Sequence, residues 1–275
     1  MWDTGIVSDP VTFRSDLYRG TAEDYDRCRL PYPPEMFADL AERIGLNGTG
    51  AALDVGCGTG QVAFAIRPYV AEVVGIDQET CMIEFASTKT TKIRLSGMEW
   101  RVVAAEDFVA AGTFRLVTIG NAFHRLHRTD VAKRARRWLR PAGHLALVWS
   151  SGTQSGPADW QRVVNDCANE WADRLGASDR VPSNWQSDID ARPHATVLAE
   201  AGFEVLGRQE FTATHERSVA DIAGFLYSTS LLPRSVLGDH ITEFEQDLAT
   251  RLHEIEPSGT FQEEVSAAYD LARSP

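Results

Sequence analysis

The residues best suited to chemistry lie in one short run, Asp54-Val55-Gly56-Cys57-Gly58-Thr59-Gly60. It follows the apolar segment AALDV and precedes a helix-forming stretch from Gln61. Glycines let a chain turn tightly and let a ligand approach the main chain. A dinucleotide fingerprint would need its third glycine where Gln61 stands. The acid Asp54 before the loop would also repel a phosphate. The spacing therefore disfavours a nicotinamide-dependent oxidoreductase and suits a cofactor with a cationic centre and no phosphate. A second acid, Asp77, closes another apolar run (EVVGI) 23 residues after Asp54.

These residues need strands and helices to position them. A helix is expected over 34–44, because Pro34 suits a first turn, Met36, Phe37, Leu40 and Ala41 recur at helical spacing, and Gly45 stops it. Strands are expected at 51–55, 72–76, 100–103, 114–119 and 144–149, with helices at 61–67, 79–88 and 130–139 between them. The strands read as apolar throughout, as in a sheet covered by helices on both faces. The expectation is an α/β fold: a doubly wound, Rossmann-like, mostly parallel seven-stranded sheet with a helical cap and an N-terminal lid. Its ligand belongs at the carboxyl ends of the strands. After Ser150 the texture changes to a linker-like SSGTQSGP and a Trp-bearing acidic stretch over 158–192. A helix at 196–202, a strand at 203–215, helices at 219–228 and 235–255, and a final strand complete the chain. In that strand Val265, Ala267, Tyr269 and Leu271 alternate with more polar positions. The division expected is 1–50 lid and first helix, 51–150 cofactor core, 151–194 cap insertion, and 195–275 sheet end with further cap helices.

The chain of 275 residues carries 27 Lys+Arg and 39 Asp+Glu, a net charge of −12. Residues 1–150 hold 18 basic and 18 acidic side chains, so the whole deficit falls after Ser150. A negative balance argues against nucleic acid or an anionic membrane as partner. A neutral cofactor half joined to an acidic cap suggests a small cationic substrate. No run approaches the ~20 apolar residues of a membrane span, and MWDTGIVSDP lacks the pattern of a signal peptide. Four separated cysteines, with no CxxC pair, read as reduced thiols in a cytoplasmic protein without a structural metal. The oligomeric state is not encoded in any recognisable signal.

DVGCGTG closely resembles the first motif of class I S-adenosylmethionine-dependent methyltransferases, a likeness that extends over about residues 15–150 and loosely over 195–215. The resemblance implies S-adenosylmethionine as cofactor, leaving as S-adenosylhomocysteine. It implies that Asp54, Gly56, Cys57, Gly58, Gly60 and Gln61 form the cofactor loop. It implies that Asp77, with Gln78 beside it, accepts hydrogen bonds from both ribose hydroxyls, and a carboxylate suits two parallel donors. By the same likeness Met82 lies on the adenine, with the Ala105 backbone and the Glu106 side chain at its edge. The segment Asn121-Ala122-Phe123-His124 would then lie under the methyl group. It resembles the family's AFHW, but Arg125 replaces the usual Trp and His127 a common acid. YDRCRLPYP resembles an N-terminal lid of the family, which implies that Arg29 pairs with the methionine carboxylate and Tyr25 closes over the sulfonium. The chain, with FLYSTS at 225–230, also resembles the sugar N-methyltransferases of gentamicin-type aminoglycoside pathways, which implies a sugar amine as acceptor.

Methyl transfer from a sulfonium is an in-line displacement with a neutral leaving group, so alignment is the main task. An ammonium has no lone pair and must lose a proton first. His124 is the expected catalytic base, because an imidazole titrates near neutrality. Tyr18, His127, Trp149, Trp185, Asp188 and Tyr227 are the expected substrate contacts: aromatic platforms for sugar rings or cations, with an acid for an ammonium. O-methylation of a small carboxylate or hydroxyl, and a regulator that binds the cofactor without turnover, are the alternatives.

Overall fold

The computed structural model describes residues 11–275, so the first ten residues of the expected lid segment, and the MWDTGIVSDP reading, lie outside the described residues. Seven strands form one sheet: β1 (Ala51–Val55), β2 (Glu72–Asp77), β3 (Met98–Val102), β4 (Phe114–Gly120), β5 (Leu139–Ser150), β6 (Glu204–Ser218) and β7 (Thr260–Arg273). Their order is β3-β2-β1-β4-β5-β7-β6. The first five pair in parallel, whereas β7 runs antiparallel to both β5 and β6. This is the doubly wound, mostly parallel sheet expected. The order reverses between β1 and β4, which opens a crevice at their carboxyl ends.

Period-two strand geometry sorts side chains to the two faces. Leu53, Val117, Leu145 and Leu147 pack with helices α5 (Arg128–Trp138) and α8 (His194–Glu200) on one side. Ala52, Leu116, Ala146 and Val148 pack with α2 (Pro34–Arg43) and α3 (Gln61–Ile66) on the other. The remaining helices are α1 (Ala22–Cys28), α4 (Thr80–Lys92), α6 (Asp159–Arg174), α7 (Trp185–Ala191), α9 (Val219–Tyr227), α10 (Arg234–Leu237) and α11 (Ile241–Ile255). A third core joins α6, α9 and α11 through Trp160, Val164, Trp171, Phe225, Phe244 and Leu248.

Three local expectations need correction. The strands are not all apolar: β3 and β6 lie at the sheet edges and expose much of their length. β5 begins at Leu139 rather than 144, pairing with Phe114 before the register shifts at Pro141-Ala142-Gly143. The helix expected over 235–255 is broken, because Gly238 adopts φ 52° and ψ −125° between α10 and α11, a conformation open to glycine.

β5 pairs with β7 only over residues 267–273 of the latter. Beyond that, β6 and β7 continue as a two-stranded ribbon to Ser218↔Thr260. The ribbon delivers α9 directly, capped by Ser218, whose Oγ accepts from the Asp221 N–H.

Close approach is decisive at Gly75, where a Cβ would lie 2.4 Å from the Trp100 ring and 3.1 Å from Cys57 Sγ. Gly75→Ala is expected to destabilise the fold by about 1–3 kcal/mol through overpacking, measured by urea unfolding; an unchanged midpoint would show that Trp100 yields freely.

Candidate active site

The loop after β1 is shaped by a carboxylate that never reaches the cavity. Asp54 is 1% exposed. Its Oδ2 accepts the Ala63 N–H at 3.1 Å and its Oδ1 accepts the Thr118 hydroxyl at 2.8 Å, tying the first turn of α3 to β4. Burial, and in smaller part the charge of Asp77, push its pKa up to about 7 against those two hydrogen bonds. Gly56, Gly58 and Gly60 all hold positive φ, at 63°, 53° and 90°. A Cβ on Gly56 would meet the Ala122 Cβ at 2.8 Å.

Asp77, at the end of β2, accepts the Gly58 N–H at 2.9 Å on Oδ2 and the Glu79 N–H at 2.9 Å on Oδ1. Each oxygen keeps a lone pair for a further donor. Burial raises its pKa, and the backbone donors of Glu79, Gly58 and Gln78 oppose the rise. At the end of β4, Asn121 takes a left-handed φ of 47°, which asparagine tolerates. Its Nδ2 donates to Ser150 Oγ at 3.0 Å and its Oδ1 accepts the Ser150 N–H at 3.2 Å, clasping β4 to β5.

Between these strand ends lies a cavity with about 710 Å³ of empty space, its open mouth included. Nine of the expected cofactor residues line it: Tyr25, Gly56, Gly58, Asp77, Gln78, Met82, Ala105, Glu106 and Asn121. Tyr18 and Arg125 line it too. Arg29 and Gln61 line a smaller adjoining cavity that shares Tyr25 and Asn121. Arg29 donates through Nε to Ser228 Oγ at 2.8 Å and stacks its guanidinium 4.9 Å from the Tyr25 ring and 4.7 Å from the Phe225 ring. Asp54, Cys57 and Gly60 do not line either cavity. Cys57 is buried, with its thiol pKa raised by burial, and a Cβ on Gly60 would strike Trp100 at 2.6 Å. These three shape the loop from behind.

The residues present fit an adenosine-bearing sulfonium. A glycine cradle approaches Ala122, Asp77 retains acceptor capacity for a diol, and Glu79 Oε1 is buried without a partner among the described residues. The combination of sheet order, glycine loop and strand-end acid supports a class I S-adenosylmethionine-dependent methyltransferase, with S-adenosylmethionine as its cofactor. Residues 52–143 match the family model described as a methyltransferase domain. An uncharacterized methyltransferase of Schizosaccharomyces pombe is 25% identical over 226 residues, covering 81% of this chain and 80% of that one. A provisionally named type II methyltransferase from Anaeromyxobacter dehalogenans shares the fold, with a TM-score of 0.63 and 20% identity over 90% of this chain and 97% of that one. So does the [4+2]-cyclase SpnF, with a TM-score of 0.55 and 18% identity over 97% and 98%. The fold alone therefore leaves the acceptor open.

The expected catalytic and substrate residues fare differently. His124 lies off the cofactor cavity, in a second one with Trp149, Trp185 and His194. Its ring is 5.1 Å from that of Trp185. Burial, followed by the neighbouring Arg125, pushes its pKa down to about 3, which makes it a poor proton acceptor. Asp188 is not free for a substrate ammonium, because its Oδ2 pairs with buried Arg128 at 2.5 Å. Tyr227 is 1% exposed within the cap core, where its hydroxyl donates to Glu245 at 2.8 Å and Arg234 stacks on its ring. His127 lines a third cavity with Tyr18, Arg125 and Glu106, and its N–H donates to Glu106 Oε1 at 3.2 Å.

Sequence reasoning missed Glu263. It is 2% exposed and lines the smaller cavity beside Gln61, Asn121 and Ser150. The signal was present, because Glu263 continues the inward phase of Val265, Ala267 and Tyr269.

Because the folded pKa of Asp54 exceeds the ordinary aspartate value near 3.9, its contribution to stability is full below pH ~4 and is lost as pH rises through about 7. Asp54→Asn, which can still accept from Ala63, is expected to gain stability relative to the wild type between pH 4 and 8. Melting curves across that range check this, and a constant difference would contradict it.

Proposed function

We propose that the protein transfers the methyl group of S-adenosylmethionine to a small acceptor held between the N-terminal segment and the cap. The observation that carries this reading is the convergence of Tyr18, Tyr25, Gly56, Asp77, Met82 and Asn121 on one cavity at the switch point. In this reading Asp77 holds the ribose hydroxyls, Met82 and Glu106 flank the adenine, and the glycine loop and Asn121 receive the methionine portion. Arg29 receives its carboxylate. The bound cofactor supplies an electrophilic methyl on a sulfonium. The chain's own residues orient: Tyr25, half-buried with its pKa raised chiefly by desolvation, roofs the loop and excludes water, and Asn121 fixes the strand end beneath. A cavity closed by tyrosines suits a small molecule better than a macromolecule.

A second reading, N-methylation of a cationic acceptor such as an amino sugar, draws on Glu263. Burial raises its pKa, while Arg217 and the Thr153 hydroxyl, which donates to it at 3.2 Å, lower it. A buried carboxylate beyond Asn121 suits an ammonium and could take its proton. The acid surplus after Ser150 lends this reading less support, since several of those acids pair with arginines at the surface, as in Glu170–Arg251, Glu243–Arg174 and Glu204–Arg273.

Asp77→Ala is expected to weaken S-adenosylhomocysteine binding about 100-fold or more, as loss of two charged hydrogen bonds of about 1.5–3 kcal/mol each requires. Calorimetry reads this, and an unchanged affinity removes the ribose role. A panel of amino sugars, carboxylic acids and phenols, read for the mass gain of one methyl, identifies the acceptor. Gain on amino sugars, diminished in Glu263→Gln, supports the second reading. Gain on acids alone removes it.

A further inference from the structure

Thirteen arginines face carboxylates, and among those that make no ion pair among the described residues, Arg29, Arg125 and Arg180 lie together. All three reach the same cap segment, Ser228–Ser230. Arg29 holds the Ser228 hydroxyl and carbonyl, Arg125 Nη2 donates to Ser230 Oγ at 3.4 Å, and Arg180 Nε donates to the Ser230 carbonyl at 3.0 Å. Arg29 belongs to the methionine end of the site. Arg125 and Arg180 do not.

Arg125 is the informative one. Its Nε and Nη1 are buried and have no hydrogen-bond partner among the described residues, although leaving buried donors unmet is costly, more so for a charged group. Phe13 and Tyr18 lie 5.1 and 5.0 Å from its guanidinium carbon. Ring faces hold the guanidinium but do not satisfy its in-plane N–H fork. The side chain lines both the cofactor cavity and the adjoining one with Phe13, Arg14 and His127. The one acid lining that adjoining cavity, Glu106, already accepts the His127 N–H. Asp16 is taken by Arg14 at 2.8 Å. Arg180 feels the repulsion of Arg14 on top of its own burial, and its pKa is lowered. The Arg125 fork is thus left unmet among the described residues where the two cavities join, with Asp77, Glu79 and Glu106 lining the cofactor side and Arg14 paired with Asp16 on the other.

We propose that the acceptor carries a carboxylate that docks on the Nε and Nη1 of Arg125 beside the cofactor, with Arg180 reinforcing the positive potential behind Ser230. A planar guanidinium fork matches a planar carboxylate. The proposal rests on the methyltransferase reading of the cavity and assigns a recognition group, not the atom that is methylated.

The test titrates the S-adenosylhomocysteine-saturated full chain with benzoate, succinate, their amides and inorganic phosphate, read by ligand-observed NMR. The acids are expected to bind and the amides not to. Arg125→Gln should weaken the acids tenfold or more, Arg125→Lys should recover part of the loss, and Arg180→Gln should cost about threefold through screened charge. Equal binding of acids and amides, unchanged acid binding in Arg125→Gln, or binding of phosphate alone would overturn the proposal. Binding of S-adenosylhomocysteine without any acid overturns it while leaving the methyltransferase reading intact. Failure of the wild type to bind S-adenosylhomocysteine overturns both.

Discussion

The cofactor cavity depends on one buried side chain that never touches it. Asp54 ends β1 and grips the first turn of α3 through Ala63 and the neighbouring strand through Thr118. The loop between must therefore double back over its three positive-φ glycines. Asp77 then anchors the same loop from the other side through the Gly58 N–H. Two carboxylates, one behind and one in front, fix where main-chain atoms face the ligand. Both have raised pKa values from burial, so the loop is held by groups whose ionisation the surrounding core opposes. That arrangement is tolerable because backbone and hydroxyl donors take up their lone pairs.

The lid and cap obey a second constraint. Arg217, 2% exposed, donates to the carbonyls of Cys28 in α1 and Asp221 in α9, and faces Glu263 at 3.8 Å across the ribbon. One buried guanidinium therefore ties α1, α9 and the last strand together. Arg29 adds a second tie, from the lid to Ser228. The roof over the glycine loop is built from arginines holding carbonyls and hydroxyls, not from a hydrophobic lid alone.

How much of this was legible depended on how local each signal is. The strand–loop–helix units were plain because apolar runs, glycines and terminal acids all lie within a few residues of one another. The division of labour inside the loop was not. Asp54, Cys57 and Gly60 carry the same motif as Gly56 and Gly58, yet face the core instead of the cavity, and only packing against Trp100 and Thr118 decides that. His124 and Trp185 meet, but in a cavity behind the β4 end, because the left-handed turn at Asn121 redirects the chain. Asp188 reads as available for a ligand in the sequence, but α5 and α7 bring Arg128 to it. The bulk charge of residues 151–275 is a weak guide for the same reason: net charge counts residues, whereas a binding site responds to the few that are unpaired. Arg125, visible in the sequence only as a departure from a familiar segment, is one of those few.

The match to the methyltransferase domain stops at residue 143, before the cap begins. That residue lies within β5, and the cap segments begin only where the strand ends at Ser150. Residues 151–194 leave and rejoin the sheet between β5 and α8, and α9 to α11 hang from the outer end of the β6–β7 ribbon. Both cap pieces are loops in the topological sense, however helical they are internally. Their length and sequence therefore do not enter the register of any strand pair. The sheet sets where the cofactor cavity opens, and the ribbon sets what is carried over it.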